Sequence, residues 1–121
     1  VDDQTGVRYL LDAIIKEEGH CSHLAANGAE AVEKVKQISP ELIFMDLRMP
    51  IMDGKQAIEA INEMDCSPEM VVMTAFTEKD IIDSIRRKGV FKYLNKPFDV
   101  EDVRTIVREA ALKKRLETES L

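Results

Sequence analysis

The stretch Leu42-Ile43-Phe44-Met45-Asp46 constrains the fold more than any other part of the chain. Four consecutive bulky apolar residues have the length of a short strand buried on both faces, and such strands belong to parallel sheets. The run stops abruptly at a carboxylate. Pro50 and the Asp53-Gly54 pair then impose a loop, after which a helical pattern resumes. Open α/β sheets place their ligand sites beyond the carboxyl ends of strands, which is where Asp46 falls. Taken alone, Asp46 reads equally well as a helix-capping or loop-starting acid.

The rest of the chain repeats the alternation. Val7, Leu10, Leu11, Ile14 and Ile15 recur at intervals of three and four, which predicts an amphipathic helix opened by Gln4 or Thr5 and stopped at Gly19. His20–Ala25 is predicted as a strand. Asn27 and Glu30 then predict a capped helix carrying Ala31, Val32, Val35 and Ile38, closed by Pro40. A helix from Gly54 presents Ala57, Ile58 and Ile61 on one side. A second apolar run, Met70–Met73, ends in Thr74. Thr77-Glu78-Lys79-Asp80 starts a helix with Ile81, Ile82 and Ile85 inside, ending at Gly89. Val90–Leu94 is predicted as a strand, followed by Asn95-Lys96-Pro97-Phe98. Asp99 caps a last helix bearing Val103, Ile106, Val107 and Ala110, with Lys113-Lys114-Arg115 where a helix C-terminus favours cations.

Strand and helix therefore alternate throughout, which predicts an α/β fold with helices on both faces of a doubly wound parallel sheet. In a five-stranded sheet of order 2-1-3-4-5 the first strand is central. Only Val1 precedes Asp2-Asp3, so that strand is largely missing from the sequence and several apolar residues are expected upstream. The 121 residues make one domain, 1–121, in which 113–121 serve as a linker or a frayed helix end. A net charge of −6 argues against a general nucleic-acid-binding surface. No apolar run approaches the roughly 18 residues of a membrane span, and no signal peptide is expected. Cys21 and Cys66 lack metal-ligand spacing and are read as reduced thiols of a cytoplasmic protein.

Polar groups stand at four strand ends: Asp2 and Asp3, Asp46, Thr74, and Lys96. In a parallel sheet these ends share one edge. Carboxylates gathered there repel one another unless a cation joins them, and an all-oxygen donor set suits Mg²⁺. A metal, a lysine and a hydroxyl around a carboxylate form an electrostatic clamp for a transferring phosphoryl group. The carboxylate itself is a competent nucleophile, giving an aspartyl-phosphate.

Together, Val1-Asp2-Asp3, Asp46-Leu47-Arg48-Met49-Pro50 with Met52-Asp53-Gly54, Thr74-Ala75 and Lys96-Pro97-Phe98 resemble the receiver domain of bacterial two-component response regulators, over essentially the whole chain. Each motif is weak by itself; their order at strand ends carries the resemblance. It implies a flavodoxin-like fold of the CheY type and a phosphorylation-controlled switch or phosphorelay intermediate. Asp46 would accept a phosphoryl group from the phosphohistidine of a histidine kinase or histidine phosphotransferase. Asp46, Asp3 and the Arg48 backbone carbonyl would ligate Mg²⁺ directly, and Asp2 would act through water. Thr74 and Lys96 would contact the phosphoryl oxygens, and the Tyr93 ring would follow Thr74 inward as the switch. Such a protein is a phosphoacceptor, not an enzyme, although it assists its own phosphorylation and slow dephosphorylation.

Arg48 and Phe76 each stand two positions past a site residue and are expected to shield the aspartyl-phosphate from water. Val7, Leu10, Pro97 and Phe98 are expected to form an apolar patch that docks the partner's histidine-bearing helix; both helix residues read equally well as core. Val1-Asp2-Asp3-Gln4 and Lys96-Pro97-Phe98-Asp99 look most like the single-domain receiver of the sporulation phosphorelay. Tyr93 points instead to receivers that drive an output domain, so either an output domain or a downstream phosphotransferase is an expected partner. The protein is expected as a monomer or a phosphorylation-dependent dimer, without direct nucleic-acid or membrane contact. Two other classes fit less well. A phosphohydrolase with an aspartyl nucleophile needs an acid where Arg48 stands, and a pseudo-receiver would be expected to lack Asp3, Asp46 or Lys96.

Overall fold

The computed structural model describes residues 1–75, 79–86 and 89–119. In chain order the elements are α1 (Thr5–Glu17), α2 (Gly28–Ile38), β1 (Leu42–Asp46), α3 (Gly54–Asn62), β2 (Glu69–Thr74), α4 (Lys79–Ile85), β3 (Val90–Asn95) and α5 (Val100–Glu119). The strands form a parallel sheet of order β1-β2-β3, with Asp46 opposite Met73 and Thr74 opposite Asn95.

Side chains alternate across the sheet with the two-residue period of a strand. Ile43 and Met45 of β1, with Met70 and Val72 of β2, enter a core closed by α2, α3 and Ile85 of α4. Phe44, Val71 and Met73 point the other way, to Leu11 and Ile14 of α1 and to Val103, Ile106 and Val107 of α5. Both faces are therefore covered, as the unbroken apolar runs require.

Helix starts follow the chemistry of their first residues. Asn27 accepts a hydrogen bond from the Glu30 N–H, and the Glu30 carboxylate accepts from the Ala26 N–H at 2.9 Å. Asp53 and Gln56 form a reciprocal capping box at the start of α3. Helix α5 runs on past Lys113-Lys114-Arg115 to Glu119. Lys113 instead pairs with Glu69 at 2.7 Å and lies over the Phe91 ring.

The predicted strand over His20–Ala25 is a correction: these residues form no strand. Val1 and Asp2 lie between them and β1. Val1 pairs with β1 through Phe44 and Asp46, while the Asp2 N–H donates to the Ala25 carbonyl at 3.1 Å. Val1-Asp2 thus occupies the central position of the expected order, between the 20–25 segment and β1. Among the described residues the bond from Asp2 to Ala25 is the segment's one long-range backbone bond, and the Leu24 carbonyl accepts from the Lys34 ammonium instead. An apolar cleft lined by Leu11, Val35, Leu42 and Phe44 separates it from β1. Cys21 and Cys66 are free thiols, and among the described residues no helix is long and apolar enough to cross a membrane.

Candidate functional site

The expected residues converge on the carboxyl edge of the sheet. Asp46 ends β1, Thr74 ends β2, and Lys96 follows β3 directly. The Lys96 N–H donates to the Thr74 carbonyl at 2.7 Å, which extends the β2–β3 ladder by one rung and aligns the two residues. The Lys96–Pro97 peptide is cis.

Asp2 is fully buried and every polar atom it carries has a partner. Its N–H donates to Ala25, as above, and its carbonyl accepts from Arg8 Nη1 at 2.8 Å. Oδ1 accepts from the Gln4 N–H at 2.9 Å, and Oδ2 accepts from Lys96 Nζ at 2.6 Å. Asp3, the next residue, is exposed. Asp46 is 6% exposed; its Oδ1 accepts from the Leu47 N–H at 3.0 Å and lies 3.2 Å from Lys96 Nζ. Asp2, Asp3 and Asp46 each bring one carboxylate oxygen within 4.8 Å of the others.

Burial, and then the charge of Asp2, raise the Asp46 carboxyl above the ordinary carboxylate range despite the lysine beside it. Burial by itself would lower the Lys96 ammonium, but its hydrogen bond to Asp2 and the charges of Asp46 and Asp2 raise it overall. The cleft therefore holds more negative charge than one lysine neutralises. Three carboxylate oxygens at this separation, with a surplus of negative charge, fit a small hard dication, and the donor set is the one Mg²⁺ prefers.

Thr74 is buried, and its hydroxyl donates to the Ala75 carbonyl at 3.1 Å. Tyr93, on β3 opposite Val72, is exposed on the flank, with 39% of its surface in solvent. Arg48 is exposed on the β1–α3 loop. Phe76 lies outside the described residues. The four docking candidates divide: Val7 and Phe98 are partly buried against the α1/α5 side of the core, whereas Leu10 and Pro97 are on the surface.

The structure adds residues that the sequence reading passed over. Arg8 holds the carbonyl that joins the two acids. The available signal was a cation near a helix N-terminus, where the dipole repels it. Gly54 and Gly28 are required by close backbone approach. A Cβ on Gly54 would lie 2.1 Å from the Asp46 carbonyl oxygen, and one on Gly28 would lie 2.5 Å from that of Met52. These contacts clamp the 46–54 loop: Gly54 N–H donates to Leu47, and Gly28 N–H donates to Met52, each at 2.9 Å.

The sequence profile of the response regulator receiver domain matches residues 1–108. Among curated proteins, sporulation initiation phosphotransferase F of Bacillus subtilis is 34% identical over 109 residues, covering 90% of this chain and 88% of that protein. Chemotaxis protein CheY of Halobacterium salinarum is 36% identical over 103 residues, covering 85% and 86%. Regulatory protein AtoC of Escherichia coli is 34% identical over 91% of this chain, which spans only 24% of its length. Among solved structures, the REC domain of AraT, a response regulator from Geobacillus stearothermophilus, superposes with a TM-score of 0.83 at 30% identity, covering 99% of this chain and 94% of that one. The receiver domain of NtrX from Brucella abortus shares the fold, with a TM-score of 0.81 at 22% identity over 90% and 92% of the two chains.

Proposed function

The chain belongs to the response regulator receiver family, whose domains are phosphorylation-dependent signalling switches, and from that premise we propose that Asp46 is its phosphoacceptor in a Mg²⁺-dependent transfer from a protein phosphohistidine. The observation that carries this reading is the shared lysine: one ammonium bonds Asp2 and Asp46 at once beside the exposed Asp3. Mg²⁺, when held by Asp3, Asp46 and the Arg48 carbonyl, with Asp2 acting through water, supplies positive charge against the phosphoryl oxygens.

Asp46 Oδ1 is engaged by the Leu47 N–H and by Lys96, so among the described residues Oδ2 is the oxygen without a protein partner. Attack by a carboxylate oxygen on phosphorus forms the O–P bond of an acyl phosphate as the donor's N–P bond breaks. The imidazole leaves with that electron pair, and a proton already carried on its other ring nitrogen makes it a neutral leaving group. The transfer moves negative charge from the Asp46 carboxylate to the phosphoryl oxygens, and Lys96 follows it. The Thr74 hydroxyl, now spent on the Ala75 carbonyl, turns to donate to a phosphoryl oxygen, and Tyr93 moves inward behind it. Arg48 and Phe76 shield the acyl phosphate from water, so self-dephosphorylation is slow; an unchanged rate in Arg48→Ala and Phe76→Ala would sink that part of the reading.

The donor is a histidine kinase or histidine phosphotransferase in the cytoplasm. An output domain or a further phosphotransferase reads the switch. Val7, Leu10, Pro97 and Phe98 contribute to docking. Exposure to acetyl phosphate tests the reading. The unaltered chain should gain one phosphoryl mass only with Mg²⁺ present, and Asp46→Ala should gain none; incorporation independent of either would refute it.

A further inference from the structure

Ile51 has the least comfortable backbone in the described structure. Its φ is +70°, in the left-handed region, where a β-branched side chain is a genuine outlier. The Met52 N–H donates to the Pro50 carbonyl at 2.8 Å, so Ile51 is the apex of a three-residue γ-turn in its strained, positive-φ form. That conformation is strained for an isoleucine. Glycine or asparagine would relieve most of the strain.

The fold gains nothing in return from this side chain. Ile51 is 83% exposed and belongs to neither core cluster. The turn is nevertheless firmly imposed. Met52 is pinned by Gly28, Asp53 by its capping box with Gln56, and Gly54 by Leu47. A rigid loop therefore projects one apolar knob into water, five residues beyond Asp46 and on the same edge of the sheet. Asp46 is recessed, so a donor protein must press against this rim to bring its phosphohistidine into reach.

We propose that Ile51 is a specificity contact for the protein that phosphorylates Asp46, packing against an apolar surface beside that partner's phosphohistidine. The inference rests on Asp46 being the acceptor. It adds a contact on the β1–α3 loop, remote in sequence from the α1 and post-β3 residues expected to dock the partner. The turn is already paid for by the clamped loop, so burying Ile51 needs no further ordering of the backbone.

The test compares the unaltered chain with Ile51→Gly and Ile51→Asn, both compatible with positive φ. Acetyl phosphate, which needs no docking, should label all three at the same rate. Phosphorylated kinase cores and histidine phosphotransferases from the source genome are then assayed as a panel, and the fastest donor is used. Transfer from it should slow about tenfold or more in both variants, the loss expected when one isoleucine side chain no longer leaves water on contact. Both variants should melt no lower than the unaltered chain. Equal transfer rates would overturn the proposal, as would a lower melting temperature, which would make Ile51 a folding residue. An unaltered chain that self-associates through Ile51, or a panel with no donor, would also overturn it. No labelling of the unaltered chain by acetyl phosphate would instead remove the acceptor reading beneath it.

Discussion

Lys96 Nζ donates to Asp2 Oδ2 at 2.6 Å, closing a contact between residues 94 positions apart in the sequence. It is the link that ties the start of the chain to the end of β3. Asp2 is wholly enclosed, so its carboxylate depends on this ammonium for counter-charge.

Removing that ammonium should destabilise the fold. Lys96→Met leaves Asp2 and Asp46 facing each other, and about 2–3 kcal/mol is expected, below the roughly 3–5 of a fully enclosed pair because the lysine retains some exposure. Folded Lys96 holds its proton more tightly than the unfolded chain does. Its stabilisation is therefore complete below the unfolded value of about 10.4 and fades only as pH rises through the higher folded value. Thermal melts at neutral pH should show the loss, and added Mg²⁺ should recover part of it by replacing the missing charge.

Asp46→Asn should act in the opposite direction. The folded carboxyl titrates above its unfolded value, so ionising it costs stability. That cost is absent below the unfolded pKa and fully present above the raised folded one. The amide keeps an oxygen for the Leu47 N–H. Without metal, the variant should melt higher than the unaltered chain at pH 7, and the gap should close on acidification towards pH 4. A variant that melts lower at pH 7 would contradict the charge balance described for the cleft.

Gly54→Ala and Gly28→Ala should both loosen the acceptor loop. The added methyl meets backbone atoms, which cannot step aside as a side-chain tip would. A cost of about 1–3 kcal/mol is expected for each. Gly54→Ala should also lower the phosphorylation rate, since the atom displaced is the carbonyl of Asp46 itself. Denaturant melts and acetyl phosphate labelling separate the two effects.

Arg8→Lys keeps the charge but loses the fork that reaches both the Asp2 carbonyl and Thr5 Oγ1. If Arg8 acts by fixing the peptide between the two acids, Mg²⁺ binding should weaken by roughly threefold to tenfold, the size of one ordinary hydrogen bond, since Lys keeps the charge and loses the fork. Arg8→Met should weaken it as well. Tighter binding by Arg8→Met in calorimetric titration would show that only charge matters at this position.

The sheet and its edge were legible in the sequence because doubly buried strands leave unbroken apolar runs, and the polar residue that ends each run marks the rim. Asp46, Thr74 and Lys96 follow from that pattern, and Asp2-Asp3 joins them through order along the chain. His20–Ala25 misled because a strand is defined by its pairing, and among the described residues the segment's one long-range backbone bond is that from the Asp2 N–H to the Ala25 carbonyl. The roles of Arg8, Gly28 and Gly54 depend on distances between residues far apart in sequence or on the path of a tight loop. Ile51 was hidden for another reason. Nothing in an isoleucine announces a positive φ; the turn is imposed by the clamps on either side.

The measurement that tests the central claim most directly is identification of the phosphorylated residue. The chain is treated with acetyl phosphate and Mg²⁺, reduced with borohydride and sequenced by mass spectrometry. Reduction converts an aspartyl-phosphate to homoserine, and the account predicts homoserine at position 46 and aspartate at positions 2 and 3. Homoserine at another position, or an unmodified Asp46 in labelled protein, would contradict it.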